Sequence, residues 1–128
     1  MQQRFDESKP IFMQIKERIE DQIVNGQFKE QEQIPSTTQL VQFYKINHLT
    51  VAKGIHLLVE NGILYKKRGV GMFVAEGARE KLLKARRERF ASQYVEPMLQ
   101  EAAKLGITLD EIVDYINRQK GQKGSDHS

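Results

Sequence analysis

Cysteine is absent from the 128-residue sequence, and so is any long apolar run. Without cysteine the chain has no disulfide, no thiolate metal site and no cysteine nucleophile. No apolar segment approaches the roughly 18 residues that span a bilayer. The N-terminal segment "MQQRFDESKP" is polar and of mixed charge, whereas a signal peptide has an apolar centre. These absences predict a cytoplasmic protein with no membrane segment, built as one domain or as one small domain with an appendage.

Sequence signals of catalysis and metal binding are missing as well. The sequence contains no Gly-x-Ser-x-Gly motif and no Walker-type loop that ends in Gly-Lys-Ser/Thr. His48 and His56 lie about two helical turns apart, which is too far to share a zinc ion, and His127 lies near the C-terminus. We therefore expect no enzyme activity, no metal and no cofactor.

Positive charge is concentrated in the middle third of the chain. The whole sequence carries a net charge of +3. Residues 40–75 contain five Lys/Arg against one Glu, a net charge of +4, whereas residues 1–39 carry −2 and residues 76–128 carry +1. The middle third is therefore the candidate surface for an anionic partner.

The first predicted helix covers about residues 10–25. Its apolar stripe repeats every four residues, as expected for one buried face of a helix, and consists of Ile11, Ile15, Ile19 and Ile23. Ser8 is the expected N-cap, Pro10 is tolerated in the first turn, and Gly26 ends the helix.

A capping box marks the start of the second predicted helix. Ser36 and Gln39 are three residues apart, so the serine hydroxyl can accept from the Gln39 amide while the glutamine side chain reaches back. The helix is expected over about residues 37–44, with Leu40 and Phe43 buried.

A third helix is predicted over about residues 48–61, after a turn of only a few residues. Asn47 is its expected N-cap and Gly62 its end. Its apolar face consists of Val51, Ile55 and Leu58. Two helices joined so tightly predict a helix-turn-helix.

The stretch "KKRGVGMFV", residues 66–74, predicts the tip of a β-hairpin. Apolar pieces at 63–65 and 72–74 flank a basic centre, and Gly69 and Gly71 permit the positive φ of a tight turn. A mononucleotide-binding loop would need a helix after "GVG", whereas "MFVAEGA" predicts a strand. A hairpin directly after a helix-turn-helix is a wing.

Past Gly77 the pattern changes to that of a long helix with one apolar side. Pro97 is expected to kink this helix or to start a new segment, and Gly106 ends it. Thr108 and Glu111 form a second capping box, which predicts a last short helix. Two such helices are expected to be too few to enclose a metabolite pocket of several hundred Å³.

The predicted fold is mainly α with a small β-hairpin. A winged helix-turn-helix domain over residues 1–77 precedes a short C-terminal two-helix dimerisation segment over residues 78–120, and a tail over residues 121–128 is expected to be disordered. A second copy is expected to cover the apolar side of the C-terminal helices, which includes Leu82, Leu83, Phe90, Tyr94, Met98 and Leu99. Alternatively, this side folds back on its own winged domain.

Candidate DNA contacts come from the helix-turn-helix and from the wing. The first turn of the second helix of such a motif enters the major groove and meets base edges, whereas helix N-termini and basic loops contact phosphates. The expected DNA-binding residues are Ser36, Thr37, Thr38, Lys45, Asn47, His48, Leu49, Thr50, Lys53, Lys66, Lys67, Arg68, Gly69, Val70 and Gly71. Alternatively these are ordinary exposed residues, and Ser36 is already explained as a helix cap.

The ordered segments "PIFMQIKERIEDQIVNGQF", "IPSTTQLVQFYKINHLTVAKGIHLLVENGIL" and "KKRGVGMFV" resemble the winged-helix domain of the GntR family of bacterial transcription regulators, over about residues 5–76. The C-terminal segments "RERF", "EPML" and "AAKLGITLDEI" are similar to those of the YtrA-type subfamily, whose members lack the large effector-binding domain of other branches. The resemblance implies a homodimeric repressor that binds double-stranded DNA at a palindromic operator, often beside genes for ABC transporters.

Two positions depart from the family pattern. Thr38 stands where the family typically has an arginine, and a bidentate guanine contact is lost with that arginine. Asn47-His48 stands where the recognition helix often begins Ser-Arg, although the asparagine is common in the YtrA-type branch. Thr50, Lys53 and the wing residues 67–71 match well. The operator sequence therefore cannot be copied from those of relatives, and that sequence, the regulated genes and any effector stay open.

Two functions of other classes remain as alternatives. A protein–protein interaction module would fit an acidic or neutral wing, and the net charge of +4 over residues 40–75 argues against it. An enzyme or a metabolite sensor would need a pocket in the C-terminal helices.

Overall fold

The computed structural model describes residues 5–124, with side chains through residue 121. Its elements, in chain order, are α1 (Ile11–Val24), α2 (Thr37–Tyr44), α3 (His48–Glu60), β1 (Leu64–Lys67), β2 (Gly71–Val74), α4 (Ala78–Phe90), a π-helical turn (Ala91–Val95), α5 (Glu96–Lys104) and α6 (Leu109–Gly124). The mainly helical fold with a small antiparallel hairpin is confirmed.

Two compact units make up the chain, Met1–Ala85 and Arg86–Ser128. The first contains the helix-turn-helix, the hairpin and the start of α4, because Ala78 and Leu82 lie in its hydrophobic core. The boundary therefore falls eight residues later than the predicted domain limit at residue 77.

Helix α1 begins at Ile11 without a side-chain cap, so the prediction of Ser8 as its N-cap is wrong. Pro10, extended at φ −56° and ψ 144°, occupies the N-cap position instead. The Ser8 backbone N–H and hydroxyl both donate to Asp6 Oδ1, at 2.9 and 2.5 Å. The Gln14 side-chain amide donates to the carbonyl oxygens of Asp6 and Lys9, which ties the segment before α1 to the helix, while the first-turn N–H groups of Met13 and Gln14 donate to the Pro10 carbonyl.

The core of the first unit forms where α1 packs on α3. The isoleucine stripe of α1 meets the apolar face of α3, and the residues with at most 1% exposure here are Ile15, Ile19, Ile23, Val51 and Leu58. The two helices approach closely at Gly54, where an added Cβ would lie 2.8 Å from the carbonyl oxygen of Phe12. A glycine in the middle of α3 is thus explained by a backbone contact.

Helix α2 confirms its capping box but not its predicted buried pair. The Gln39 N–H donates to Ser36 Oγ at 3.1 Å, and the Ser36 N–H donates to Gln39 Oε1 at 2.8 Å. Leu40 is buried as expected, whereas Phe43 is 55% exposed and Tyr44 is buried in its place. Leu40 and Tyr44 are four residues apart and share one side of the helix, so Phe43 lies beside that side, edge-on to the Tyr44 ring.

The hairpin is longer toward its tip than predicted. Its register pairs Leu64 with Val74 and Lys67 with Gly71, so Lys66 and Lys67 belong to β1. The chain before α2 pairs with the other edge of β2: the Ile34 N–H donates to the Met72 carbonyl at 2.9 Å. This third, bridge-like partner of the wing was not predicted.

Helix α4 passes into α5 through the π-helical turn. At its end the Glu96 N–H donates to the Ala91 carbonyl, five residues back. Pro97 follows in the first turn of α5, so the expected new segment is present. A proline ring normally clashes with the carbonyl four residues before it; here the π turn lies directly before Glu96 and Pro97, and the chain continues into α5.

The last helix begins at its predicted capping box, where the Glu111 N–H donates to Thr108 Oγ1 at 3.1 Å. It continues to Gly124, so residues 121–124, expected in a disordered tail, are helical. Once a helix has started, each added residue needs no new nucleation, and α6 outlasts its apolar stripe. Residues 125–128 of the predicted tail lie outside the described residues.

Candidate nucleic-acid interface

Helix α3 presents an exposed stripe opposite its buried face. Val51, Ile55 and Leu58 point into the core, and at 100° per residue the opposite side carries Leu49 and Lys53. Leu49 is 75% exposed, an unusual environment for a leucine on a helix that has a core to pack against. The first turns of α3 thus present side chains outward, as predicted for a recognition helix.

The turn that precedes α3 is held by its own cap. Asn47 Oδ1 accepts from the Leu49 N–H at 2.7 Å, and Lys45 ends α2 in the left-handed conformation at φ 58°. Lys45, Asn47 and His48 are exposed, and Thr50 is half-buried. The structure therefore places these four predicted residues together around the start of α3.

His56 and Glu60 extend the exposed stripe and were not among the predicted site residues. His56 Nε2 lies 3.1 Å from Glu60 Oε2, and both side chains are more than half exposed. Their i, i+4 spacing on α3 was available from the sequence. Glu60 places a carboxylate toward the C-terminal end of this face, away from the basic first turns.

Lys53 lies over an aromatic ring of the neighbouring helix. Its Nζ is 4.1 Å from the centroid of the Phe12 ring, on α1. Phe12 is half-buried and Lys53 is exposed. Because 41 positions separate the two residues, no local spacing in the sequence indicates this contact.

The tip of the wing is a turn from Lys67 to Val70. The Val70 N–H donates to the Lys67 carbonyl at 2.9 Å, and Gly69 has a φ of 78°, which glycine adopts without strain. Lys66, Lys67, Arg68, Gly69 and Val70 are all exposed. The predicted wing residues therefore lie together at one accessible tip.

Gln33 fixes this tip from outside the hairpin. Its Nε2 donates to the Val70 carbonyl at 2.9 Å. Gly71 has a φ of 146°, and a Cβ there would collide with the Gln33 amide. The glycine thus leaves room for the side chain that holds the turn, a role that the hairpin pattern did not predict.

An aromatic stack supports the base of the wing. The rings of Tyr65 and Phe73 stack with centroids 5.7 Å apart, and the Tyr65 hydroxyl donates to Gln31 Oε1 at 2.8 Å. Lys67 Nζ lies 4.5 Å from the Phe73 centroid on this stack. A second cation of the predicted site is therefore held over a ring.

The start of α2 contributes three predicted residues. Ser36 and Thr38 are exposed and Thr37 is half-buried. Ser36 Oγ is engaged as the helix cap, so its role as cap is confirmed, while a phosphate contact from this helix start stays a prediction.

The positive charge of the site is not neutralised by nearby carboxylates. Ion pairs within 4.0 Å between described residues join Lys9 to Glu17, Lys16 to Glu20 and His56 to Glu60. None of these pairs includes the five cations of residues 40–75. Within residues 5–124, no cluster of three metal-binding side chains is found, and no helix is long and apolar enough to cross a membrane.

The predicted dimerisation residues differ in exposure. Leu82 is 5% exposed and belongs to the core of the first unit, so it is not accessible to a second chain; for Leu82 the fold-back alternative holds. Leu83 is half-buried. The residues Phe90, Tyr94, Met98 and Leu99 are exposed, and so are apolar residues of α6 that were not predicted, namely Leu109, Val113, Tyr115 and Ile116.

An open apolar groove of about 570 Å³ lies between α5 and α6. Its apolar lining includes Met98, Ala102, Leu105, Ile107, Ile112 and Ile116, and Glu101, Glu111 and Arg118 also line it. The groove is open to one side and is not an enclosed pocket, so the expectation that two helices are too few to enclose a pocket of several hundred Å³ stays a prediction.

Known proteins share this architecture. The family model described as bacterial regulatory proteins, gntR family, matches residues 12–74. The transcriptional repressor YtrA of Bacillus subtilis is 26% identical over 123 residues, which cover 93% of this chain and 94% of YtrA.

Two solved structures extend the comparison. A GntR-family regulator from Bacteroides thetaiotaomicron is 35% identical and superposes with a TM-score of 0.67 over 85% of this chain and 98% of that one. The DNA-binding domain of AraR, solved in complex with operator ORR3, is 33% identical with a TM-score of 0.52, over 56% of this chain and 87% of that one. The chain therefore belongs to the GntR family of bacterial regulatory proteins.

Proposed function

We propose that this protein is a sequence-specific DNA-binding transcriptional regulator, a repressor that binds a palindromic operator as a homodimer in the bacterial cytoplasm. The observation that carries the proposal is the pairing of an outward-facing first half of α3 with a basic wing tip. Leu49 is 75% exposed on α3, and Lys66, Lys67 and Arg68 are exposed on the wing.

The proposed binding mode assigns base contacts to α3. The major groove is about 12 Å wide and admits one helix. His48 and Lys53 have donors for guanine or for phosphate, and Leu49 can pack on a thymine methyl group. Support comes from the AraR domain, which was solved bound to an operator.

Phosphate contacts are assigned to the cations around α3. Lys45 lies at the turn before the helix, and Lys66, Lys67 and Arg68 lie on the wing. Because no carboxylate of a described residue lies within 4.0 Å of these groups, their charge is available to the DNA backbone. Each phosphate contact releases counterions, so we expect affinity to fall steeply with salt.

Dimerisation is assigned to the second unit. Its helices expose Phe90, Tyr94, Leu109, Val113 and Ile116, and apolar side chains that form a contiguous exposed patch mark protein interaction sites. A second copy that covers this surface would give a two-fold dimer. Its two recognition helices would then reach major grooves about one helical turn, roughly 34–36 Å, apart.

The experiment that tests the function is selection of bound duplexes from a random-sequence library, followed by titration of one selected duplex and of a shuffled duplex. We expect a palindromic consensus, a preference for the selected duplex of at least about 1000-fold, and one dimer per duplex by sedimentation. Equal affinity for both duplexes would refute sequence-specific recognition. A monomer that binds a single half-site with full affinity would refute the dimer alone.

A second candidate, a small-molecule sensor, is favoured by the groove between α5 and α6. Its volume of about 570 Å³ lies within the range of ligand sites. If a second copy covers this groove, dimerisation and sensing compete for the same surface. Replacing Ile112 and Ile116 by Ser should then convert the protein to monomers. If the groove is only a ligand site, the same replacement should leave the dimer intact.

A further inference from the structure

We propose that Phe12 is a positioning residue for DNA recognition: its ring, on α1, holds the Lys53 ammonium group in the place from which it contacts DNA. The inference rests on the proposed function, because it assigns a partner within this chain to one of the expected DNA contacts.

The geometry of the contact is fixed by two separate parts of Phe12. The ring lies under Lys53, with its centroid 4.1 Å from Nζ. The carbonyl oxygen of the same residue lies against Gly54, close enough that a Cβ there would come within 2.8 Å of it. Gly54 directly follows Lys53 on α3. The backbone that carries the ring is therefore packed tightly against α3, next to the residue that the ring touches.

The ring contact of Lys53 is compatible with a DNA contact by the same ammonium group. An ammonium group over a ring face is attracted by the negative charge density of that face. It has three N–H donors, and the ring occupies only one side of it. Lys53 is exposed, so the other donors can meet a base edge or a phosphate while the ring contact persists.

A lysine without such a partner would have to be ordered on binding. Fixing one long side chain at an interface is unfavourable by an amount comparable to a hydrogen bond, and a side chain already confined in the free protein loses less freedom. Lys53 takes part in none of the hydrogen bonds or ion pairs found among the described residues. The Phe12 ring is therefore the contact that confines it.

The wing offers an internal comparison. Lys67 lies 4.5 Å from the Phe73 centroid, whereas the neighbouring Lys66 has no ring contact of this kind among the described residues. Lys66 is thus a matched lysine on the same proposed interface whose contribution does not depend on Phe12.

The test is a double-mutant cycle on a duplex selected by the wild-type protein from a random library. The variants are Phe12→Leu, Lys53→Met and their combination, with Phe12→Tyr to restore a ring and Lys66→Met as the control lysine. Affinities are measured by fluorescence anisotropy at one salt concentration. Thermal midpoints of all variants are recorded, so that binding is compared between folded proteins.

Phe12→Leu should weaken binding about two- to fivefold, the fold-change that corresponds to an exposed cation–π contact, and Phe12→Tyr should not. Phe12→Leu should have no effect on affinity in the Lys53→Met background. In the Lys66→Met background it should weaken binding by the same factor as in the wild-type protein. A loss of equal size in the Lys53→Met background, or no loss in either background, would overturn the inference while leaving the function intact. Failure of the wild-type protein to select any duplex would overturn both.

Discussion

Gly54 gives the sharpest test of how this fold is held together, because two physical effects predict opposite signs for its replacement by alanine. Glycine in a helix interior is less favourable than alanine by about 1 kcal/mol. Propensity alone therefore predicts that Gly54→Ala stabilises α3. Packing predicts the reverse, since the new Cβ would lie 2.8 Å from the Phe12 carbonyl oxygen.

The magnitude follows from what has to move. Contacts shorter than about 3.0 Å are not tolerated for a real Cβ, and the group in the way belongs to the backbone of α1, which cannot rotate aside as a side chain would. Relief requires α1 and α3 to separate by a few tenths of an ångström along the buried isoleucine stripe. Overpacking of this kind is destabilising by about 1–3 kcal/mol, and the rigid obstacle places the value in the upper half of that range.

Subtracting the propensity gain leaves a net loss of about 1–2 kcal/mol in the free energy of unfolding. For a domain of this size the expected fall in Tm is roughly 4–15 °C. Differential scanning calorimetry is the suitable assay, because it resolves separate transitions if the two compact units unfold independently. Urea titration followed by circular dichroism supplies the corresponding free energies.

Gly121→Ala is the matched control. Gly121 is also helical, on α6, and an added Cβ meets no heavy atom within 4 Å. Its replacement should be neutral or stabilising by up to about 1 kcal/mol, less near the helix end where fraying reduces the gain. A rise in Tm for both variants would show that propensity outweighs the Phe12 contact and would refute the packing argument.

Three further predictions concern the interface, a cap and a buried phenol. Replacing Lys66, Lys67 and Arg68 together by Ala should reduce the log–log salt slope of DNA binding by up to about three; an unchanged slope would place the wing outside the interface. Ser36→Ala should lower the free energy of unfolding by about 1 kcal/mol, measured by urea titration. An unchanged urea midpoint would show that the Ser36 cap does not stabilise the protein. Burial raises the pKa of the Tyr44 phenol, so its contribution to stability is complete below the pKa of about 10 of unfolded tyrosine and is lost as pH rises through the higher folded pKa. The alkaline fall in Tm should accordingly be smaller for Tyr44→Phe, and equal curves for the two proteins would contradict this.

Local sequence signals correctly predicted where a helix begins when its first turn is held by a capping box. The capping boxes at Ser36 and Thr108 are present as expected, because donor and acceptor lie within one helical turn and their geometry depends on the local backbone alone. Ser8 shows the limit of such a signal. A nearby Asp6 carboxylate accepts its hydrogen bonds, and Pro10 takes the cap position.

Which of two neighbouring apolar residues of a helix is buried was harder to predict from the sequence. Phe43 and Tyr44 are both aromatic, and which of them is buried depends on where α2 meets the rest of the core. The same holds for Leu82, which the apolar pattern of α4 could not assign to its own core or to a second chain. These choices are made by tertiary packing, which acts over distances that a window of one helix does not contain.

The contacts that position the candidate site join residues far apart in the chain. Gln33 reaches the Val70 carbonyl across 37 positions, and Phe12 reaches Lys53 across 41. The sequence predicted that most of the candidate residues on α3 and on the wing are exposed, because helical periodicity and charge mark them. It did not predict what holds them, because each support comes from an element that happens to pack nearby.

The packing role of Phe12 and its proposed role in DNA recognition can be separated by experiment. Its carbonyl oxygen limits how closely α3 approaches α1, while its ring lies under Lys53. Gly54→Ala pushes the helices apart and moves both groups relative to α3, so it should weaken DNA binding as well as lower Tm. Phe12→Leu leaves the carbonyl in place, so its effect on binding should exceed what its change in Tm accounts for. If the two variants instead lose affinity in proportion to lost stability, the ring has no role beyond packing.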